Sequence, residues 1–170
     1  MIIQVGELPE EGLTFTDAAR FPSPFGDATW RLDAVDLSLA PDGADVLVHG
    51  RLDATIPQAC GRCLESFPAA VVAAVDMRLT PRPATGGDTH ELGEDDLDTD
   101  FYVGGELDLA RLIEAETTLV LPMKPLCCTD CRGLCPVCGK NRNQTACDCQ
   151  APQPDSRLAV LTQLTARPGR

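Results

Sequence analysis

Nine cysteines are the residues of this chain with the most chemistry to offer, and seven of them fall between residues 127 and 149. The most specific piece is Cys135-Pro-Val-Cys138-Gly139. Two thiolates two residues apart grip one ion, proline presets the bend, and glycine turns the backbone at positive φ so that amides face the sulfurs. Cys147-Asp-Cys149 follows an eight-residue loop and completes four ligands if its CxC spacing brings both sulfurs inward. Cys60-Gly-Arg-Cys63 repeats the CxxC spacing earlier in the chain, and Cys127 with Cys131 offers a CxxxC pair. The preferred partition is two tetrahedral sites, one of Cys60, Cys63, Cys127 and Cys131, the other of Cys135, Cys138, Cys147 and Cys149, with Cys128 left over. A rival partition groups Cys127, Cys131, Cys135 and Cys138 and leaves Cys60 and Cys63 as a free dithiol. The first is favoured because a long-range clamp ties the late segment to the body. Two zinc ions are expected, and iron suits the same sulfur tetrahedra.

Other chemistries fit less well. Burial of the thiols as small hydrophobes conflicts with a polar, glycine-containing segment that has no apolar period. A redox dithiol at Cys60 and Cys63 wants its first sulfur at a helix N-terminus, whereas the pair reads as a turn between strands. Hydrolytic zinc needs an open coordination position, which four thiolates close. The HExxH, GxSxG and P-loop patterns are absent, and the two histidines read as a half-buried strand residue, His49, and a solvated loop residue, His90. The chain is therefore expected not to be an enzyme. The odd number of thiols and a start, Met1-Ile-Ile-Gln-Val-Gly-Glu-Leu, without a basic and then apolar leader predict a reducing, cytoplasmic setting. No apolar run reaches the roughly 18–20 residues of a membrane span.

These thiols need elements to hold them, and the remaining sequence predicts an α+β fold. It is read as an antiparallel β-sheet body with one or two packed helices and a C-terminal cysteine-rich zinc-binding module. The expected divisions are 1–122 for the body, 123–150 for the metal module and 151–170 for a helical tail. Trp30-Arg-Leu-Asp-Ala and the alternating stretch Val46 to Ile56, separated by Pro41-Asp-Gly, predict a hairpin. Phe67 to Leu79 alternates Val71, Ala73, Val75, Met77 and Leu79, a further strand with helix as its rival. Short connections favour antiparallel pairing. A helix is expected over 108–119, capped by Asp108, stopped by Pro122 and presenting Leu109, Leu112, Ile113 and Leu119 on one face. A second is expected from Ser156 through Leu158, Leu161 and Leu164 to Pro168. With aromatics at 4% and hydrophobic residues at 44%, the core should be made of Leu, Val, Ala and Ile.

Charge narrows the partners. The net charge is −12, with 23 acids against 7 bases in residues 1–120 and 3 acids against 7 bases in 121–170. That excludes an indiscriminate binder of polyanions. Between Asp88 and Asp100 lie seven acids and no base. The plain reading is a solvated loop held open by self-repulsion; the sharper one is a receptor for a basic partner through Glu94, Asp95, Asp96 and Asp98.

Taken in order, Cys60-Gly-Arg-Cys-Leu, Asp100-Phe-Tyr, Glu106-Leu-Asp-Leu, Leu121-Pro-Met-Lys-Pro-Leu-Cys, Gly133-Leu-Cys-Pro-Val-Cys-Gly and Arg157-Leu-Ala-Val-Leu resemble the YceD family of large ribosomal RNA subunit accumulation proteins. The resemblance runs over about residues 45–165. It implies a cytosolic, non-catalytic bacterial protein needed for accumulation or processing of 23S rRNA and for 50S assembly. Two positions depart from the family pattern: Cys128 is an extra thiol, and Arg142 stands in a Gly-x-Asn-x-Asn stretch where an aliphatic residue is common. Zinc comes from the spacing, not from the resemblance. The expected partners are pre-50S ribosomal particles and a basic ribosomal or rRNA-modifying protein, with no membrane. Weak direct rRNA contact through Lys124, Arg132, Lys140 and Arg142 is the secondary expectation. The alternatives are a thiol redox or metal-handling protein, and a zinc-ribbon transcription adaptor.

Overall fold

The computed structural model describes residues 1–22, 24–82, 99–150 and 157. His90, the acidic residues Glu94, Asp95, Asp96 and Asp98, and the expected helix from Ser156 lie outside the described residues. The chain divides into two compact units, Met1–Gln58 with Ser66–Pro125, and Ala59–Glu65 with Leu126–Arg170.

Alternation builds the first unit. β1 (Ile2–Gln4) is followed by β2 (Leu13–Phe15), β3 (Arg31–Asp42), β4 (Asp45–Ala59), β5 (Ser66–Pro81), β6 (Thr99–Tyr102), β7 (Glu106–Asp108) and the helix α1 (Leu109–Leu119). β2 to β6 form one sheet in chain order, and β1 pairs with β7 in a separate antiparallel ribbon. Because side chains in a strand point alternately to opposite faces, the apolar period of two becomes one buried surface. Val35, Leu37 and Leu39 of β3, Val46, Val48, Leu52, Ala54 and Ile56 of β4, and Val71, Ala73, Val75 and Leu79 of β5 lie in the core. The β3–β4 hairpin closes on the Asp42–Asp45 pair, so the strand runs on through Pro41 and the turn is Gly43-Ala44. The stretch from Phe67 is strand and not helix.

Three expectations change. β6 pairs with β5 in parallel, from Arg78 opposite Thr99 to Pro81 opposite Tyr102. The residues joining these strands, 82–98, exceed the dozen or so that a parallel connection requires, so the short-connection rule does not reach this edge. The core is also more aromatic than composition suggested, since Phe15, Phe21 and Phe25 are all buried, with Phe15 edge-on to Phe21 at 5.9 Å. Scarce rings are concentrated where large apolar areas are covered.

The third change concerns α1. Asp108 caps it, its carboxylate accepting from the Ala110 amide at 3.1 Å. Its buried stripe is Leu109, Ile113 and Thr117, four residues apart, with Leu112 packed beside them. Leu119 is 76% exposed, because it lies about a third of a turn from that stripe. Thr117 is tolerated in the core because its hydroxyl donates to the Ile113 carbonyl at 2.6 Å. Among the described residues, no helix is long and apolar enough to cross a membrane.

Candidate metal centre

The second unit is built around two cysteine knuckles of the same design. In the loop from β4 to β5, the Cys60 amide donates to the Glu65 carbonyl at 2.9 Å and the Leu64 amide donates to the Cys60 carbonyl at 2.9 Å. In the later segment the Cys135 amide donates to the Lys140 carbonyl at 2.8 Å and the Gly139 amide donates to the Cys135 carbonyl at 2.9 Å. Each knuckle therefore needs a left-handed residue directly after its second cysteine. Gly139 supplies it with φ +71°, and Leu64 supplies it with φ +62°. Glycine adopts this conformation freely, whereas leucine is strained there by roughly 1–2 kcal/mol.

The knuckles meet different partners. Cys127 and Cys131 sit in a turn closed by the Cys131 amide on the Cys128 carbonyl at 3.2 Å. The sulfurs of Cys60 and Cys131 lie 3.7 Å apart, as do those of Cys63 and Cys127, and all four lie within 4.8 Å of one another. The sulfurs of Cys135, Cys138, Cys147 and Cys149 also lie within 4.8 Å of one another, so the CxC pair turns both thiols inward. A tetrahedron of sulfurs around an ion with metal–sulfur bonds of about 2.3 Å has edges of about 3.8 Å. The first foursome has that edge already, and both donor sets suit a thiophilic metal. None of the nine thiols is in a disulfide. Cys128 belongs to neither group; it is exposed, with its sulfur 3.9 Å from that of Cys127.

Solvent access separates the two groups. Cys60, Cys63 and Cys131 are buried, leaving Cys127 exposed, whereas only Cys135 is buried in the second group.

Electrostatics within each foursome points the same way as geometry. Backbone amides of Cys63 and Cys127 facing its sulfur bring the Cys60 thiol down to about 6. Amides of Cys138 and Val137 do the same for Cys135, also to about 6. The Asn143 side chain lowers Cys131. Three of their neighbours move up: desolvation and then Cys63 raise Cys127, the Cys138 sulfur pushes Cys149 up to about 12, and the Cys135 sulfur raises Cys147. Some sulfurs are prepared to ionise and their neighbours then resist, so four thiolates at this spacing call for a cation between them.

Several supporting residues were not singled out from sequence. The Arg62 guanidinium donates to the carbonyls of Cys131 at 3.0 Å and Thr129 at 3.4 Å, fastening the turn that carries the second ligand pair. Gly133 packs on the Arg62 carbonyl, which would lie 3.0 Å from an added Cβ. Asn141 and Asn143 reach back to Glu65 and Cys131 at 3.3 Å and 3.2 Å. The Gly-x-Asn-x-Asn spacing was the visible signal for these two. Arg62 and Leu64 had none beyond their place in the CxxC loop.

Of the candidate cationic residues, Lys124 lies next to the last residue of the first unit, whereas Arg132, Lys140 and Arg142 belong to the second, where the Arg142 amide donates to the carbonyl of Gly133, beside Arg132, at 2.9 Å; all four are exposed. His49 is not half-buried: it stands on the solvent face of the sheet with Nδ1 2.9 Å from Asp76.

Residues 48–165 match the family described as "Large ribosomal RNA subunit accumulation protein YceD". That span includes all nine cysteines. An uncharacterized protein of Mycobacterium tuberculosis is 31% identical over 144 residues, covering 81% of this chain and 67% of that protein. An uncharacterized protein of Mycobacterium leprae is 32% identical over 106 residues, covering 62% of this chain and 46% of its own length. A chloroplastic protein of Arabidopsis thaliana, called large ribosomal RNA subunit accumulation protein YCED homolog 1, is 27% identical over 164 residues, covering 76% of this chain and 51% of that protein. No solved structure gives a significant match.

Proposed function

The chain belongs to the YceD family of large ribosomal RNA subunit accumulation proteins, and from that premise we propose that it is a non-catalytic assembly factor for 23S rRNA and the 50S subunit in the bacterial cytoplasm. The observation that carries the reading is the extent of the family match, which takes in both cysteine foursomes and α1. Zinc is the metal we assign to each foursome. Cys60, Cys63, Cys127 and Cys131 hold one ion, and Cys135, Cys138, Cys147 and Cys149 hold the other. Bound there, zinc supplies a structural cross-link, because four thiolates fill its shell and leave no position for a substrate or water. In such small modules metal binding is a large part of folding, on the order of 10–16 kcal/mol.

We assign the direct partner as a basic protein of pre-50S particles. Residues 1–120 carry 23 acids against 7 bases, which favours a cationic surface. The zinc assignment also lowers the appeal of RNA for the second unit. Its segments hold seven bases and four acids, and each filled site contributes −2, leaving the unit at −1. A surface so weakly charged gains little from releasing counterions on a phosphate backbone. Contact of rRNA with Lys124, Arg132, Lys140 and Arg142 is thus the second reading, supported by their exposure.

Ribosome sedimentation from a deletion strain tests the function. A deficit of 50S particles with accumulated 23S precursor is expected. Normal subunits with a disturbed thiol balance would overturn assembly in favour of redox or metal handling.

A further inference from the structure

The loop that closes the second foursome also supplies a hydrogen bond to a sulfur of the first. Residues 139–146 run between Cys138 and Cys147. From this loop the Asn143 side chain donates through Nδ2 to Cys131 Sγ at 3.2 Å, while its Oδ1 accepts from the Arg132 amide at 2.7 Å. The backbone N–H fixes which end of the amide carries oxygen, so the NH2 must face the sulfur. Asn143 is itself held by its own amide donating to Asn141 Oδ1 at 3.0 Å. Asn141 in turn donates to Glu65, two residues beyond Cys63, at 3.3 Å, and Gln144 donates to the same carboxylate oxygen at 3.4 Å. Backbone bonds run alongside, from the Leu134 amide to the Arg62 carbonyl at 3.0 Å and from the Arg142 amide to the Gly133 carbonyl at 2.9 Å.

We propose that Asn143 is a positioning residue for the first metal site and that it couples the filling of the two sites. An ion among Cys135, Cys138, Cys147 and Cys149 pins both ends of the 139–146 loop and so removes the entropy of ordering it. The ordered loop then holds the Asn143 NH2 on Cys131, where an N–H directed at a ligand sulfur orients it and offsets its negative charge. A site with that support binds its ion more tightly than one whose supporting loop must be ordered at the moment of binding. Linkage makes the effect reciprocal, so an ion among Cys60, Cys63, Cys127 and Cys131 tightens the second site by the same factor. This rests on reading both foursomes as metal sites, and the experiment separates the two claims.

The full-length protein, reduced and stripped of metal, is titrated with Zn2+ against a chromophoric chelator and with Co2+ as a spectroscopic probe. Asn143→Leu keeps the size of the side chain and removes the donor. About a 10–100-fold loss of affinity is expected at the first site, the range for losing a supporting hydrogen bond to a metal ligand. The thiolate-to-Co2+ charge-transfer band of that site should also move to lower energy, since a sulfur without its N–H partner gives up electron density more readily. A Cys138→Ser, Cys147→Ser double variant should weaken the first site at least as much. Should the double variant fail to fold, the band position and affinity of Asn143→Leu still decide. Two ions bound, with first-site affinity within threefold of wild type in Asn143→Leu and an unmoved band, would overturn the coupling and leave the metal assignment standing. A protein that takes up no ion would overturn both.

Discussion

The two foursomes share one knuckle and differ in what holds it. The first joins residues 71 and 64 positions apart in sequence, is mostly buried, and sets its knuckle between two long strands. The second draws all four thiols from residues 135–149 and is mostly open to solvent. A loop whose ends are fixed by β4 and β5 tolerates Leu64 in a left-handed conformation, because the surrounding chain leaves it no other course. A loop with no such anchors uses Gly139, which reaches the same conformation without strain. Backbone geometry at a sulfur site is thus set by the ligand spacing, while residue choice follows from how much of the fold supports it.

Removing metal is the largest test of this contrast. Chelation should unfold the second unit, where the interior is chiefly thiols, and spare the first, whose core of Phe, Leu, Val and Ile owes nothing to a metal. Limited proteolysis with and without chelator should yield new cuts at 59–65 and beyond Pro125, with the sheet preserved. Uniform digestion would show that the sheet also depends on the ions.

The next effect comes from a control in the first unit. Ile113→Ala empties a fully buried position under α1 and should cost about 2–5 kcal/mol in a denaturant melt. Zinc content should stay at two, and a variant that lost metal would break the separation between the units.

A smaller effect comes from exchanging the knuckle residues. Gly139→Leu should weaken zinc at the second site by about tenfold, the equivalent of roughly 1–2 kcal/mol of left-handed strain. Leu64→Gly should tighten the first slightly or leave it unchanged, since the leucine side chain is 67% exposed and gives up little packing. Competition with a chelator reads both, and equal losses in the two variants would contradict the account of Leu64.

Much of this was legible in the residues because short-range rules governed it. Period-two alternation gave the strands from Arg31 to Pro81, and Asp108 directly before the apolar run that begins at Leu109 gave the helix start. The cysteine spacings gave the pairs and two ways to combine them, of which the structure brings together the one that joins Cys60 and Cys63 to Cys127 and Cys131. What stayed hidden depended on long-range geometry. The parallel edge at Thr99–Tyr102 follows from the path of the chain, the burial of Thr117 in place of Leu119 follows from which way α1 turns on the sheet, and the reach of Arg62 and Asn143 follows from two loops meeting. No local pattern encodes such meetings.

Metal stoichiometry tests the central claim most directly. Native mass spectrometry and elemental analysis of the purified full-length protein should find two zinc ions in wild type, one in Cys60→Ser and one in Cys138→Ser. Two ions retained in Cys60→Ser would contradict the long-range site, and a wild-type protein carrying iron or no metal would contradict the zinc assignment itself.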